Sequence, residues 1–220
     1  MKSITFCVGI VLASSVFASA QTKDGVIPIN GGRNFVYVKP VDRSARAEQP
    51  PANLVTIYSN LGTGNNVYNG AAGTGVLGKN VPNQLYPEWL ANGFTPTANH
   101  TVTEIQVGVT WVQGPNTVIL SLNDDNGGKP GKTLYITGFT NLPTFGTCCT
   151  LQTATLTTGV AVTKGTMYWI VLRTSPTNQG TWNVWNNDFS GTQGPFSNNI
   201  GQGWTQQSTQ QLGAFGVFGQ

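Results

Sequence analysis

The feature that most constrains the fold is a series of short runs of β-type side chains separated by Gly, Asn and Pro. In residues 103–112, Ile105, Val107, Val109 and Trp111 alternate with polar or small residues, so an extended strand here has one apolar face. Such alternation is typical of antiparallel sheet with one face covered and the other solvated. No segment has the apolar period of an amphipathic helix, so the sequence predicts an all-β protein.

Further strand-like runs follow at residues 117–123, 134–138, 151–157, 167–173, 181–186 and 214–218. The run 167–173 is almost continuously apolar, which indicates a central strand covered on both faces. We therefore expect about eight or nine strands in a single antiparallel β-sandwich, jelly-roll-like, over residues 53–220. The sequence contains no internal repeat and no sign of a second domain.

The N-terminus has the pattern of a secretory signal peptide. Lys2 gives a short positive start, residues 4–17 are mostly apolar, and Ala18 and Ala20 place small side chains at the cleavage-determining positions. The apolar run is shorter than the roughly 20 residues that a membrane-spanning helix needs. We expect cleavage before Gln21, a secreted bacterial protein, and no integral membrane segment after cleavage.

Residues 21–52 contain four prolines and five of the eleven basic side chains of the chain. We interpret this segment as an extended N-terminal arm. Residues 35–38 have strand composition, but the flanking prolines favour an edge position over a central one.

The charge pattern argues against nucleic-acid binding. Loss of Lys2 with the signal peptide lowers the formal net charge from +3 to +2. The bases and acids after residue 53 balance, so the predicted domain has no clustered basic face that could neutralise phosphates.

Cys148 and Cys149 are adjacent and are the only cysteines after the signal peptide. In an oxidising compartment they can form a vicinal disulfide, although adjacent Cα atoms lie closer together than in most disulfides. The alternatives are an intermolecular bridge, two buried thiols or a redox-active pair. A metal site needs more ligands than His100 can complete, so we expect none here.

Calcium has a weak candidate site at Asp124, Asp125 and Asn126, because clustered oxygen ligands on a turn can hold this ion outside the cell. The segment lacks the alternating acidic spacing of a helix-flanked calcium loop. A solvated turn explains these residues without an ion, and we predict no cofactor.

The sequence offers few groups for catalysis. Glu88, Glu104 and Asp188 could supply the two carboxylates of a glycosidase, but no motif supports any pairing. Glu104 lies on the polar side of the alternating strand, where a surface carboxylate is expected. His100 lies in the polar segment that precedes this strand, where we expect it to be solvated. No nucleophile elbow is present, so we predict a protein that is not an enzyme.

The best candidates for ligand binding are aromatic. Trp182 and Trp185 are three residues apart, so on a regular strand they point to opposite faces, and we expect one in the core and one exposed. An exposed Trp beside Asn183 and Asn187 can stack on a sugar ring while the amides bond its hydroxyls. Trp204 and Trp89, in loop-like contexts, are further candidates. The alternative is that all these rings cover apolar edges of the sandwich.

The order of several segments resembles the secreted bacterial proteins that carry a choice-of-anchor R domain. The resemblance covers residues 53–219 and rests on Ala91-Asn92-Gly93-Phe94-Thr95, Val118-Ile119-Leu120-Ser121-Leu122, Asn126-Gly127-Gly128-Lys129-Pro130-Gly131, Asn141-Leu142-Pro143, Gly165-Thr166-Met167-Tyr168-Trp169 and Thr181-Trp182-Asn183. It implies an extracellular β-sandwich with no established activity, often anchored by a C-terminal sorting segment. This chain has no apolar helix and basic tail after residue 215, so we expect release rather than anchoring.

These observations favour a secreted, non-catalytic binding or matrix module that recognises carbohydrate or an envelope surface. The competing hypotheses are a purely structural extracellular protein and a hydrolase acting on polysaccharide.

Overall fold

In a computed structural model of the chain, which describes residues 25–29, 34–44, 53–82 and 86–220, the polypeptide forms three antiparallel β-sheets. The all-β prediction is confirmed. The predicted signal peptide, residues 1–20, lies outside the described residues. Within the described ranges no helix has the length and apolar character of a membrane span.

The first sheet has five strands. In spatial order they are β1 (Val26–Ile29), β2 (Asn34–Tyr37), β4 (Ala72–Leu77), β12 (Trp182–Asn186) and β7 (Val109–Gln113). The N-terminal segment therefore contributes two strands, and the sheet begins before residue 53. The predicted edge strand is β2, but β1 pairs with its outer side and takes the edge position.

The other two sheets have four and six strands. The four-stranded sheet has the order β10 (Gln152–Val162), β6 (His100–Val107), β15 (Phe215–Gly219) and β3 (Val55–Ser59). The six-stranded sheet has the order β14 (Ser208–Gln211), β13 (Gln193–Asn199), β5 (Trp89–Phe94), β11 (Tyr168–Arg173), β8 (Thr117–Asp125) and β9 (Pro130–Thr140).

The main core lies between the inner faces of the four-stranded and six-stranded sheets, as in a β-sandwich, and strands β4, β7 and β12 of the five-stranded sheet add side chains to it. The four-stranded sheet contributes Ile105 and Val217, and the six-stranded sheet contributes Leu120, Ile170 and Leu172. All five side chains have no exposed surface. Burying each such side chain contributes about 1.5–3 kcal/mol relative to leaving it in water. As the sequence predicted, β11 is a central strand, paired with β5 on one side and β8 on the other.

The described residues form fifteen strands, more than the eight or nine that the sequence predicted. The additional strands include β4, β13 and β14, which are rich in Gly, Gln and Ser and lack clear alternation. At Gly73 of β4, a Cβ atom would lie 2.4 Å from the carbonyl oxygen of Trp185. Because glycine has no Cβ, β4 can approach β12 closely at this point.

The prediction of a surface carboxylate at Glu104 is wrong. Glu104 is only 7% exposed, and it accepts a hydrogen bond from Nε2 of Gln106 at 2.9 Å. It pairs in register with Thr155 of β10 and Phe218 of β15, so neighbouring strands flank it on both sides. Alternation along β6 could not reveal this burial, which depends on residues distant in sequence.

Candidate functional site

Trp182 and Trp185 point to opposite faces of β12, as their spacing predicted, but neither face is open to solvent. Trp182 packs in a cluster with Phe35, at a ring-centroid distance of 4.8 Å, and Trp185 packs in the main core. They are 4% and 1% exposed. The prediction that one of them is exposed is wrong, because β12 is central in its sheet and β2 of the N-terminal segment supplies the cover over Trp182.

The polar neighbours of these tryptophans are also engaged within the fold. Asn183 is completely buried, and its Nδ2 donates to the Thr117 carbonyl at 2.8 Å. Asn187 is half-buried, and its backbone nitrogen donates to the Ala72 carbonyl at 3.0 Å. The sugar-stacking group predicted at residues 182–187 therefore does not form on the surface.

A different row of side chains crosses the outer face of the six-stranded sheet. Asn199 of β13 pairs with Trp89 of β5, and Arg173 of β11 pairs with Ile119 of β8. Because Leu172 pairs with Leu90, the next residues along, Arg173 and Trp89, are neighbours. All four row residues are half-buried. We call them the Trp89 row.

Arg173 and Trp89 are in direct contact within this row. The guanidinium carbon lies 5.6 Å from the centroid of the indole ring, a cation–π arrangement. Among the described residues, Nε of Arg173 has no hydrogen-bond partner. The stacking orients a positive charge along one side of the tryptophan without neutralising it.

A cleft of about 260 Å³ opens beside Trp89. We call it the Trp89 cleft, and its lining residues are Lys79, Pro87, Trp89, Gln179, Asn199, Gly201 and Gly203. They come from the turn after β4, the start of β5, the loop before β12 and the loop between β13 and β14. The lining combines one aromatic ring, two amides and one cation, which suits a ligand with both apolar and polar faces.

Backbone hydrogen bonds hold the two loops that form one wall of the Trp89 cleft. The nitrogen of Gly78 donates to the Thr181 carbonyl at 2.9 Å, and that of Asn80 donates to the Gln179 carbonyl at 2.9 Å. The nitrogen of Lys79 donates to Oε1 of Gln179 at 3.4 Å. This wall is therefore fixed before any ligand arrives.

The opposite wall is a turn organised by Asn199. Its Oδ1 accepts hydrogen bonds from the nitrogens of Gly201 at 2.9 Å and Gly203 at 3.2 Å, which leaves its amide nitrogen as the donor for a ligand. Gly201 and Gly203 have φ of 90° and 95°, in the left-handed region that favours glycine. This turn presents backbone and an amide, rather than bulky side chains, to the cleft.

Trp204 is half-buried and follows this turn. It packs against Ala91, Trp169 and Val171 on the outer face of the six-stranded sheet. It therefore covers the part of that face next to the Trp89 row and does not line the Trp89 cleft. The alternative that the tryptophans cover apolar surface describes Trp204 better than sugar stacking does.

Neither aspartate of the calcium candidate site is free of protein contacts. Oδ1 of Asp124 accepts from the nitrogen of Lys132 at 2.5 Å, and both oxygens of Asp125 accept from the nitrogen of Gly128 at 3.1 Å. Oδ1 of Asp125 also accepts from Nε1 of Trp169 at 2.8 Å. These carboxylates stabilise the turn that includes Asn126. Within the described part of the chain, no group of three or more His, Cys, Asp or Glu could hold a metal ion.

The other candidate carboxylates are buried. Glu88 is 1% exposed and accepts from Nδ2 of Asn198 at 2.7 Å. Asp188 has no exposed surface, and its Oδ2 accepts four hydrogen bonds from backbone and hydroxyl groups of Ser190 and Thr192. Neither residue lines the Trp89 cleft.

A second, more open cleft of about 380 Å³ contains His100. Its other lining residues include Thr101, Val162 and Gln220, and no aromatic ring other than the imidazole. Nδ1 of His100 lies 3.3 Å from the Gln220 carbonyl oxygen. This cleft lacks the flat apolar surface that makes the Trp89 cleft distinctive.

Cys148 and Cys149 are joined to each other by a disulfide bond. Both are buried, in a cluster with Val67, Tyr68 and Leu151. The nitrogen of Cys148 donates to the Asp42 carbonyl at 2.7 Å, which ties the bridge to the N-terminal segment. The disulfide is therefore packed in its own apolar cluster, and neither cysteine lines the Trp89 cleft.

Sequence reasoning identified Trp89 as a candidate in a loop-like context but missed Lys79, Arg173, Gln179 and Asn199. The pairing of β11 and β13 with β5 brings Arg173 and Asn199 next to Trp89, and their local sequence gives no indication of this pairing. No family model, no curated protein and no solved structure matches this chain.

Proposed function

We propose that the protein is a secreted, non-catalytic binding module that recognises carbohydrate at the Trp89 cleft. The observation that carries the proposal is a half-buried indole that lines one cleft together with two amide side chains and a lysine. Secretion rests on the predicted signal peptide. The resemblance to choice-of-anchor R domains agrees with an extracellular location and the β-sandwich architecture.

Sugar rings have an apolar face of C–H groups and a rim of hydroxyls. An indole provides a large apolar surface for the face, and amides provide a donor and an acceptor for the rim. Trp89 supplies the first, and Nδ2 of Asn199 supplies a donor for the second. The amide of Gln179 also lines the cleft, where it accepts from the nitrogen of Lys79 and donates to the Pro176 carbonyl. Because the cleft walls are held by backbone hydrogen bonds, a ligand would lose little free energy in ordering the site.

The size of the site favours one unit of a longer chain over an isolated small molecule. The volume of about 260 Å³ falls below the roughly 300–1,000 Å³ typical of small-molecule pockets. The Trp89 row continues from the cleft to Ile119, whose partner on β9 is Gly138. The row thus crosses β13, β5, β11, β8 and β9. At a strand spacing of about 4.8 Å, these five strands span roughly 19 Å of surface. A polysaccharide could lie along this row with one ring in the cleft.

The buried state of the carboxylates supports binding without catalysis. A glycosidase needs two carboxyl groups beside the scissile bond. Glu88 is 1% exposed and bound to Asn198, and Asp188 holds a turn elsewhere in the fold.

Retention of the mature chain, residues 21–220, on a panel of immobilised polysaccharides tests the proposal. We expect at least one polysaccharide to retain the protein, and Trp89→Ala to weaken that retention by about tenfold or more, since loss of an aromatic contact of this kind costs about 1–3 kcal/mol. Trp89→Tyr keeps a ring and should bind with intermediate strength.

The matched control is Phe189→Ala, which removes an aromatic ring that is 48% exposed and lies outside the cleft. It should leave retention unchanged. If no polysaccharide retains the protein, or if Trp89→Ala binds as well as the unmodified chain, the proposal is wrong and the structural hypothesis takes its place. Release of soluble sugar by the pure protein would favour the hydrolase hypothesis.

A further inference from the structure

We infer that the Trp89 cleft selects acidic carbohydrate, bearing carboxylate or sulfate groups, over neutral carbohydrate. This inference rests on the proposed function and adds the ligand class. Its basis is the distribution of charge around Trp89: Arg173 stacks on the ring, Lys79 lines the cleft, and the described lining residues include no carboxylate.

The charges of the domain are sparse, so their positions are informative. After residue 53 the chain has only five bases, and two of them, Lys79 and Arg173, lie at Trp89. Lys79 is exposed and lines the cleft. The hydrogen bonds of Gly78, Lys79 and Asn80 to the loop before β12 fix the backbone from which its ammonium group extends.

Arg173 supplies the second positive charge. Its guanidinium stacks on Trp89, and stacking leaves the N–H groups in the guanidinium plane able to bind an anion. Its Nε has no hydrogen-bond partner among the described residues. Because Nε is buried, a carboxylate or sulfate on a sugar seated beside Trp89 would be attracted by the charge of the half-buried guanidinium rather than bound at Nε.

The nearest acid in the sequence, Glu88, only partly offsets these cations. Its side chain is 1% exposed, and its Oε1 accepts a hydrogen bond from Asn198. Asp125 lies on the outer face of β8, but its oxygens accept hydrogen bonds from Trp169 and Gly128. The balance at the mouth of the cleft is therefore positive, and hydrogen bonds that pair an ionised donor with an ionised acceptor are stronger than neutral ones.

The test compares polymers that differ only in charge. Titration calorimetry with dextran and dextran sulfate, and with polygalacturonate and its carboxyl-reduced form, separates sulfate from carboxylate as the source of the anion. We expect the charged member of at least one pair to bind about tenfold more tightly at low salt, since each exposed charge contact contributes a few-fold. The preference should shrink as salt screens the charges.

Single substitutions test whether the preference for charged polymers arises at the Trp89 cleft. Lys79→Gln and Arg173→Gln should each reduce the preference several-fold, whereas Lys79→Arg should retain it. The matched control is Lys164→Gln, which removes another exposed lysine outside the cleft and should have no effect. Trp89→Ala should weaken binding of charged and neutral polymers alike.

Equal binding of charged and neutral polymers would overturn the inference while leaving the proposed function intact, provided that Trp89→Ala still weakens binding. A preference that Lys164→Gln reduces as much as Lys79→Gln would also overturn it, because it would indicate general surface attraction. Absence of binding to every polymer would overturn the inference and the proposed function together.

Discussion

Arg173 stacks on Trp89, with 5.6 Å between the guanidinium carbon and the indole centroid. The two residues lie at the end of neighbouring strands β11 and β5, on the face of the six-stranded sheet that points away from the main core. The inner face of the same strands, through Leu172 and Leu90, helps to form that core. The packing of Leu172 and Leu90 in the core therefore positions the adjacent residues, Arg173 and Trp89, on the outer face.

Trp185 should be essential for stability and not for binding. It is 1% exposed in the main core, and its Nε1 donates to the Ala214 carbonyl at 3.1 Å. We expect Trp185→Ala to lower the free energy of unfolding by about 3–5 kcal/mol, because it leaves a large cavity. Urea denaturation measures this change. Phe189→Ala, at an exposed aromatic, should change stability by less than about 0.5 kcal/mol. Similar values for the two variants would contradict the assigned burial.

Asp188 should also be structural. Its Oδ2 accepts hydrogen bonds from the nitrogen and hydroxyl of Ser190 and from those of Thr192, at 2.6–3.1 Å. Asp188→Ala removes all four, and we expect a loss of about 2–4 kcal/mol because hydrogen bonds to a buried charge are strong. Asp42→Ala is the control, since this exposed carboxylate accepts one backbone bond from Ser44. Equal thermal unfolding midpoints would contradict the structural role.

Tyr58 should make stability depend on alkaline pH. Burial raises the pKa of its phenol to about 12, and the negative charge of Asp188 acts in the same direction. Because this pKa lies above the unfolded value of about 10, the folded state favours the protonated phenol. Its contribution to stability is complete below about pH 10 and is lost as the pH rises through about 12.

Urea unfolding at several pH values between about 9 and 12 checks this dependence. In Tyr58→Phe the loss of stability over that window should be shallower than in the unmodified chain. Burial also raises the pKa of Tyr68, so some dependence should remain. Identical slopes for the two proteins would show that Tyr58 ionises as it does in the unfolded chain.

The disulfide between Cys148 and Cys149 predicts that the oxidised mature protein has no free thiol. Reaction with a thiol reagent in denaturant should be negative without a reductant and positive after reduction. The monomer should also persist on a non-reducing gel, because both sulfurs bond within one chain. Two reactive thiols in the native, unreduced protein would contradict the bridge, and a dimer that reductant dissociates would favour the intermolecular alternative.

Local pattern was sufficient to predict several strands. The alternation in β6 and β8 and the continuous apolar run of β11 correspond to strands in the structure. The opposite directions of Trp182 and Trp185 also followed from strand geometry alone. These features depend only on neighbours in sequence, which is why the sequence could reveal them.

Burial and long-range pairing were not predictable in this way. Phe35 covers Trp182 from a position almost 150 residues earlier in the chain, so the exposure of that tryptophan could not be judged locally. Trp89 follows Pro87 and Glu88, which resembles a loop, yet it begins β5. Its neighbours Arg173 and Asn199 come from strands that pair with β5 on opposite sides.

The most direct test of the Trp89 site is a titration of nitrogen-15-labelled protein with the oligosaccharide that binds best, followed by the indole N–H resonances. The chain has six tryptophans, of which Trp169, Trp182 and Trp185 are buried and Trp89, Trp111 and Trp204 are half-buried. Single Trp→Phe variants assign each resonance.

We predict that the indole resonance of Trp89 shifts most, in a saturable manner, and that those of Trp169, Trp182 and Trp185 stay in place. A saturable shift at Trp111 or Trp204 with Trp89 unchanged would contradict the account, because the ligand would then occupy a surface other than the Trp89 cleft.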